Sequence, residues 1–231
     1  MTSLVRFATT IALLMTFLSP AGRSQWLRTR GPEGGPVNCF GVHGTTVFAG
    51  TNGGVCASSN GGALWFERNS GLTNSNVRAF LVVADTLLGA TQSRLFRSTN
   101  DGISWSGVSS GLMFVTVWAL ARQATAIYAG TAGGGVFVSA DNAASWKSAG
   151  PTSSLVTSFA VIDSVLFAGT YTGLFASTNG GSSWFSSKAG LTDTVVYALI
   201  ARGRNCTLAP QLTACSGPQI AVGAGSQPAT V

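Results

Sequence analysis

The feature that most constrains the fold is a repeat of about 40 residues. Its units open on valines that are spaced 40, 40, 39 and 40 residues apart, at Val37, Val77, Val117, Val156 and Val196. About ten residues after the first four valines come VFAGT, LLGAT, IYAGT and LFAGT, and these are followed by GVCAS, RLFRS, GVFVS and GLFAS. Because chance does not produce such spacing, the chain must be built from copies of one structural unit.

Each unit contains four short segments rich in β-branched and aromatic residues, separated by Gly, Asn, Asp and Ser. Four strands in about 40 residues are typical of a β-propeller blade. A β-solenoid is the alternative, but its coils are normally shorter. The sequence therefore predicts an all-β fold: an incomplete β-propeller of four-stranded blades, with four full blades and the first strand of a fifth.

Each unit also carries the pattern Ser-x-Asp/Asn-x-Gly-x-x-Trp, which we call the box. Alanine replaces the glycine in the third copy, at Ala143. The box residues are Ser58, Asn60 and Trp65; Ser98, Asn100, Gly102 and Trp105; Ser139, Asp141 and Trp146; and Ser177, Asn179, Gly181 and Trp184. We expect a structural role: side chains such as Asn60 and Asp101 accept backbone N–H bonds in a tight turn, glycine supplies positive φ, and the tryptophan packs the outer edge of the blade.

The box resembles the Asp-box, or BNR, repeat. Together with A-G-T, G-[VL]-F and a later S-G-L or A-G-L, it resembles secreted bacterial Asp-box propellers, akin to photosystem II assembly factor-like and sialidase-superfamily repeat proteins. The resemblance covers about residues 26–204. The sialidase family also needs an arginine cluster, a tyrosine nucleophile paired with a glutamate, and an acidic proton donor, and this chain lacks those parts.

The acidic residues do not suggest a catalytic pair. Glu33 and Glu67 are the glutamates, while Asp85 and Asp163 fall in turns after the first strand of a unit. Glycoside hydrolysis requires two carboxylates that converge on one bond. The lone His43 is expected in another such turn, without a second histidine for a metal site. We therefore expect no enzymatic activity, no cofactor and no metal.

The N-terminus has the pattern of a signal peptide. Arg6 precedes the apolar run FATTIALLMTFL, which is too short to span a bilayer, and Ser19-Pro20-Ala21 provides small residues for cleavage. We assign residues 1–24 to a signal peptide and 25–204 to the blades. A secreted or periplasmic protein without a membrane span is expected, because no later segment approaches the roughly 20 apolar residues that a span requires.

Residues 205–231 depart from the repeat. When codons permitted for residues 204–225 are read one base earlier, they can encode ELYAGTATDGVFWSADSGGSW, which contains A-G-T, G-V-F and a complete box. We interpret residues 205–231 as an off-pattern, frameshifted tail and expect it to be disordered. The strand that begins at Val196 would then have no neighbour. Residues 26–36 are expected to supply the outer strand of the last blade.

Four cysteines are present, and two of them, Cys39 and Cys56, fall in the first blade. They could form a disulfide in an oxidising compartment or remain free. The first and third strands of a blade are not neighbours, which favours free thiols.

Departures from the repeat on the loops of one face identify candidate ligand contacts. Met113 and Phe114 replace polar residues of the sister loops, Trp118 follows them, and Tyr171 lies in a turn of the same face. These four residues are the candidate ligand-binding patch. The alternative is that Met113 and Trp118 fill a gap between blades.

The net charge of +6 comes from scattered arginines and not from a basic stripe, which disfavours nucleic acid as a partner. The sequence favours a non-catalytic secreted interaction module that binds protein or glycan and is part of a longer protein. The alternative is a glycan-active hydrolase or lyase of the sialidase-like superfamily whose catalytic residues lie in the missing part. The oligomeric state is left open.

Overall fold

The computed structural model describes residues 31–112, 116–151, 155–187, 195–202, 205–210 and 221–223. For Arg202 and the last two segments it describes the backbone alone. The predicted signal peptide therefore lies outside the described residues, as do Met113 and Phe114 of the predicted patch. Within the described part of the chain, no helix is long and apolar enough to cross a membrane.

The described strands form antiparallel sheets that follow one another along the chain, and we call these sheets blades 1 to 5. Blade 1 consists of β1 (Val37–His43), β2 (Thr46–Thr51), β3 (Gly54–Ser58) and β4 (Phe66–Glu67). Blade 2 consists of β5 (Val77–Val83), β6 (Thr86–Thr91), β7 (Leu95–Ser98) and β8 (Ser106–Gly107). Blade 3 consists of β9 (Val117–Gln123), β10 (Ala126–Thr131), β11 (Val136–Ser139) and β12 (Lys147–Ser148). Blade 4 consists of β13 (Val156–Ile162), β14 (Val165–Thr170), β15 (Gly173–Ser177) and β16 (Phe185–Ser186). Blade 5 consists of β17 (Val196–Arg202), β18 (Asn205–Pro210) and β19 (Ala221–Gly223). The predicted fold class, an incomplete β-propeller, is confirmed.

Blade 5 extends further than the single strand predicted for it. The first strand, β17, pairs with β18, and β18 pairs with β19. The pairing of β17 with β18 repeats the register shift between Val196 and Ala198 that the earlier blades show after their opening valine. The expectation that β17 has no neighbouring strand is therefore wrong. Backbone hydrogen bonds alone can add a strand to an open edge, which explains why an off-pattern segment occupies this place.

The hydrophobic core lies between successive blades. The opening valine of blade 2, Val77, packs with Phe48 and Val55 of blade 1 and has no exposed surface. The opening valines of blades 3, 4 and 5 are buried in the same way, with 0–1% exposure. Full burial of one valine side chain contributes about 1.5–3 kcal/mol to folding. Repetition of this contact is therefore a main source of stability.

Three of the four box tryptophans join neighbouring blades. Trp105 of blade 2 is 5% exposed, and its indole N–H donates to the backbone oxygen of Arg68 in blade 1 at 2.8 Å. The backbone N–H of Trp105 donates to the oxygen of Ser70. Trp146 and Trp184 donate to the preceding blade in the same way. The expectation was that these side chains pack the outer edge of their own blade; in the structure each indole reaches the residue that follows the outermost strand of the preceding blade, so the three side chains lie between blades.

The close approach of blades explains the glycine of the S-G-L motif. A Cβ on Gly71 would lie 2.2 Å from the backbone oxygen of Trp105, and a Cβ on Gly111 would lie as close to that of Trp146. Both glycines also have a φ of +87°. Any other residue would push the next blade away, so the motif serves the contact between blades.

Inside the box, one side chain closes the turn. In blade 4 the Asn179 Oδ1 atom accepts the Ser177 hydroxyl at 3.0 Å and the Ser183 N–H at 2.9 Å. The Ser177 hydroxyl in turn accepts the Gly181 N–H at 2.8 Å. Asn60, Asn100 and Asp141 make the equivalent bonds in the other blades.

Asp101 was expected to hold the turn in blade 2, but Asn100 does so. Asp101 occupies the next position, with a φ of 54°. The glycine position of the box also has positive φ, at 74° for Gly102 and 84° for Gly181, and Ala143 adopts 67° there.

Cys39 and Cys56 are free thiols, as their strand positions predicted. They lie on opposite sides of β2, since Cys39 faces Gly50 and Cys56 faces Ala49. Burial raises the pKa of Cys39 to about 12. In blade 1, Cys56 contacts the preceding segment through the backbone oxygen of Glu33. The strand expected from residues 26–36 does not include the described residues 31–36.

Replacing Asn179 with alanine should destabilise the fold. The Ser183 N–H and the Ser177 hydroxyl would lose their acceptor, so we expect Asn179→Ala to lower the free energy of unfolding by about 1 kcal/mol. Urea denaturation measures this change. The control is Thr178→Ala, which alters an exposed neighbour in the same turn and should change stability little. Equal effects of the two substitutions would contradict the assigned role of the box.

In the box of blade 3 the side chain that closes the turn is an aspartate, Asp141. This predicts that the stability of the fold depends on pH. Hydrogen bonds from the Ser145 hydroxyl and N–H, and from the Ser139 hydroxyl, hold the pKa of Asp141 well below its usual value of 3.8. A group with a lowered folded pKa stabilises the fold above its unfolded pKa and loses that contribution as the pH falls through the folded pKa. The melting temperature of the wild type, relative to Asp141→Asn, should therefore fall below about pH 4 and stay constant from pH 5 to 8. A difference that does not change with pH would refute this.

Candidate functional site

The strand directions define two faces of the arc of blades. The turns between the second and third strands and the loops between blades lie at the end where each first strand begins, which we call the top face. The turns between the first and second strands and the boxes lie at the opposite end, the bottom face. The first strands of consecutive blades contact one another, so they lie closest to the axis of the arc.

The residue after each opening valine contributes to a row of side chains on the top face. This second-position row consists of Asn38, Arg78, Trp118, Thr157 and Tyr197. Two of its members donate to the opening valine of the next blade: the Asn38 amide donates to the backbone oxygen of Val77 at 2.9 Å, and the Thr157 hydroxyl donates to that of Val196. The residue types differ from blade to blade, whereas the valine before them does not change.

Arg78 and Trp118 form the first aromatic contact of the row. The guanidinium carbon of Arg78 lies 4.3 Å from the centre of the Trp118 ring, a cation–π arrangement. The Arg78 Nε atom is buried and has no hydrogen-bond partner in the described part of the chain. Trp118 remains 37% exposed. The pair therefore presents a fixed cation and an accessible ring.

Tyr171 and Tyr197 form the second aromatic contact. Tyr171 lies in the turn between β14 and β15, and its ring meets that of Tyr197 edge-on, with centroids 5.6 Å apart and planes at 69°. A hydrogen bond with the Tyr171 side chain is the main cause that raises the pKa of Tyr197. Both rings keep about two fifths of their surface exposed, at 43% and 40%.

The predicted patch is thus divided between two contacts. Trp118 and Tyr171 both lie on the top face, as predicted. Each of them pairs with a residue outside the predicted patch. Thr157 lies between the two pairs in the second-position row. Sequence reasoning missed Arg78 and Tyr197 as site residues. The signal that could have identified them is the variation of the second position between otherwise similar strands.

The bottom face carries a polar link between blades 1 and 2. The His43 Nδ1 atom lies 2.7 Å from Asp101 Oδ1, and its Nε2 atom lies 3.5 Å from Asp85 Oδ1. His43 is therefore more than the turn residue that we expected, because it connects two aspartates of the next blade. Among the described residues, no group of three or more His, Cys, Asp and Glu side chains is arranged to hold a metal ion.

No protein-family model and no curated protein matches the chain. Solved structures do. The extracellular domain of BT4673 from B. thetaiotaomicron matches with a TM-score of 0.69 and 18% identity, over 80% of this chain and 27% of that one. An ancestral GH74 enzyme matches with a TM-score of 0.64 and 24% identity, over 77% of this chain and 28% of that one. YCF48 bound to D1 peptide matches with a TM-score of 0.59 and 13% identity, over 79% of this chain and 62% of that one.

These likenesses establish the class of the fold. The chain is a β-propeller protein, and it spans 27%, 28% and 62% of the length of these three solved proteins. Binding proteins and glycoside hydrolases both occur among them, so the fold supports a propeller module and does not decide between these roles.

Proposed function

We propose that this chain is a non-catalytic, secreted interaction module whose top face binds another protein or a glycan. The observation that carries the proposal is the second-position row, in which Arg78 stacks on Trp118 and Tyr197 meets Tyr171. Exposed aromatic rings beside an arginine are typical of binding surfaces.

The chemistry of the row favours an extended protein segment as the ligand. Arg78 is half-buried, and its guanidinium is the kind of donor that a backbone carbonyl or a carboxylate of a ligand accepts. The two aromatic contacts would receive apolar side chains on either side of Thr157. YCF48, which has the same fold, is seen bound to D1 peptide, and this supports a peptide more than a glycan.

Secretion is part of this proposal. The signal-peptide pattern of residues 1–24 supports it, and so does the likeness to an extracellular domain. The proposed relation to Asp-box propellers rests on the box sequence and on the turn geometry that its side chains form.

A glycan-active hydrolase or lyase is the second candidate, because GH74 enzymes share the fold. The described residues favour binding over catalysis. The second-position row contains no acidic side chain, and the carboxylates of Asp85 and Asp101 lie on the bottom face beside His43. Paired acids that converge on a sugar bond would be needed for hydrolysis.

The binding proposal can be tested with a displayed library of random peptides and with a glycan array. We expect the wild type to select peptides, and Trp118→Ala and Tyr171→Ala to weaken binding at least about tenfold by removing aromatic contacts. Phe185→Ala is the matched control, because Phe185 is 42% exposed but lies on the outermost strand of blade 4. Its binding should match the wild type.

Two results would count against the proposal. If no peptide or glycan is selected, or if Phe185→Ala weakens binding as much as Tyr171→Ala, the top face is not the binding surface. If only glycans are selected, the chain is an interaction module whose partner is a glycan and not a peptide. Cleavage of an arrayed glycan would favour the enzyme.

A further inference from the structure

The two sides of each blade carry different positions of its first strand. In blade 2, Phe80 at the fourth position stacks on Phe48 of blade 1, with ring centroids 6.2 Å apart. Gly41, at the fifth position of blade 1, lies beside Phe80 and Val82, because a Cβ on it would be 3.4 Å from either side chain. The first, fourth and sixth positions therefore form a leading face toward the preceding blade, and the fifth position belongs to a trailing face toward the following blade.

Within the described part of the chain, no other blade packs against the leading face of blade 1. Val37 is 38% exposed, whereas the opening valines of the four later blades are 0–1% exposed. Phe40 and Val42, at the fourth and sixth positions, are 61% and 59% exposed. Trp65 differs from the later box tryptophans in the same way, because its indole N–H donates to Gly62 of its own box and not to a preceding blade.

Among the described residues, the trailing face of blade 5 is also exposed at its fifth position. Ile200 occupies the fifth position and is 64% exposed. Its counterpart in blade 4, Ala160, is 6% exposed and packs in the core shared with blade 5. Leu81, its counterpart in blade 2, packs against the core shared with blade 3. The described residues therefore include one exposed apolar face of each kind.

We propose that the leading face of blade 1 in one copy packs on the trailing face of blade 5 in a second copy. Phe40 and Val42 of the first copy would lie against Ile200 of the second, and the contact would continue the interfaces that already join blades 1 to 5. A second copy suits this role because the chain carries both halves of one interface, and the internal blades demonstrate that these positions fit together. Such a contact is heterologous, so it forms rings or open rows of copies.

Sedimentation velocity on the full chain, over about a hundredfold range of protein concentration, tests this proposal. The wild type should form species larger than the monomer as concentration rises. Phe40→Ser and Ile200→Ser each remove one face and should each stay monomeric. An equimolar mixture of the two variants retains one intact face of each kind and should form a species of twice the monomer mass, and none larger.

Ile103→Ser is the matched control, because Ile103 is 56% exposed in a bottom-face box and should associate like the wild type. Thermal melting checks that every variant is folded. A wild type that stays monomeric throughout would overturn the proposal. A mixture of the two variants that stays monomeric while the wild type associates would overturn it too, because that result indicates a contact between like faces. Loss of association in Ile103→Ser would show that the boxes form the contact instead.

Discussion

The contact between consecutive blades is the interaction on which the rest of the structure depends. One blade is a small sheet whose outermost strand has only two residues, as in β4 and β8, and such a sheet cannot bury a core by itself. Each blade gains its core from a neighbour, through the opening valine and the box tryptophan. The stability of such a repeat is therefore a sum over neighbouring units, and the sequence repeats most strictly at the positions that make this contact.

The box and the S-G-L glycine act on that same contact. The box turn brings Trp105 to the gap between blades 1 and 2, where its indole reaches the oxygen of Arg68. The glycine allows the backbone of one blade to approach the backbone of that tryptophan. Two motifs that are far apart in the sequence therefore serve one interface, which explains why both recur in the blades.

The sequence predicted the propeller and its strands well because the period, the turn residues and the β-branched runs are all local signals. It did not predict the direction of the box tryptophans, since their partner lies in another blade. The pairing of β17 with β18 was also missed, because backbone hydrogen bonds carry no residue pattern that a repeat comparison can detect. On the top face, Trp118 and Tyr171 were identified as departures from the repeat. Arg78 and Tyr197 became visible only when the curvature of the arc placed them beside those rings.

In the proposed function, the fixed positions of the repeat serve stability and the variable positions serve recognition. The opening valine points into the contact between blades, and any larger or polar residue there would disturb two blades at once. The second residue is the bulged residue that follows this valine, and it lies on the top face. Asn38 and Thr157 donate from this position to the opening valine of the next blade. Its identity can change from Asn38 to Arg78 to Trp118 without altering the core. Because each blade supplies one such position, a row of blades can present a different chemical surface while the same packing is kept beneath it.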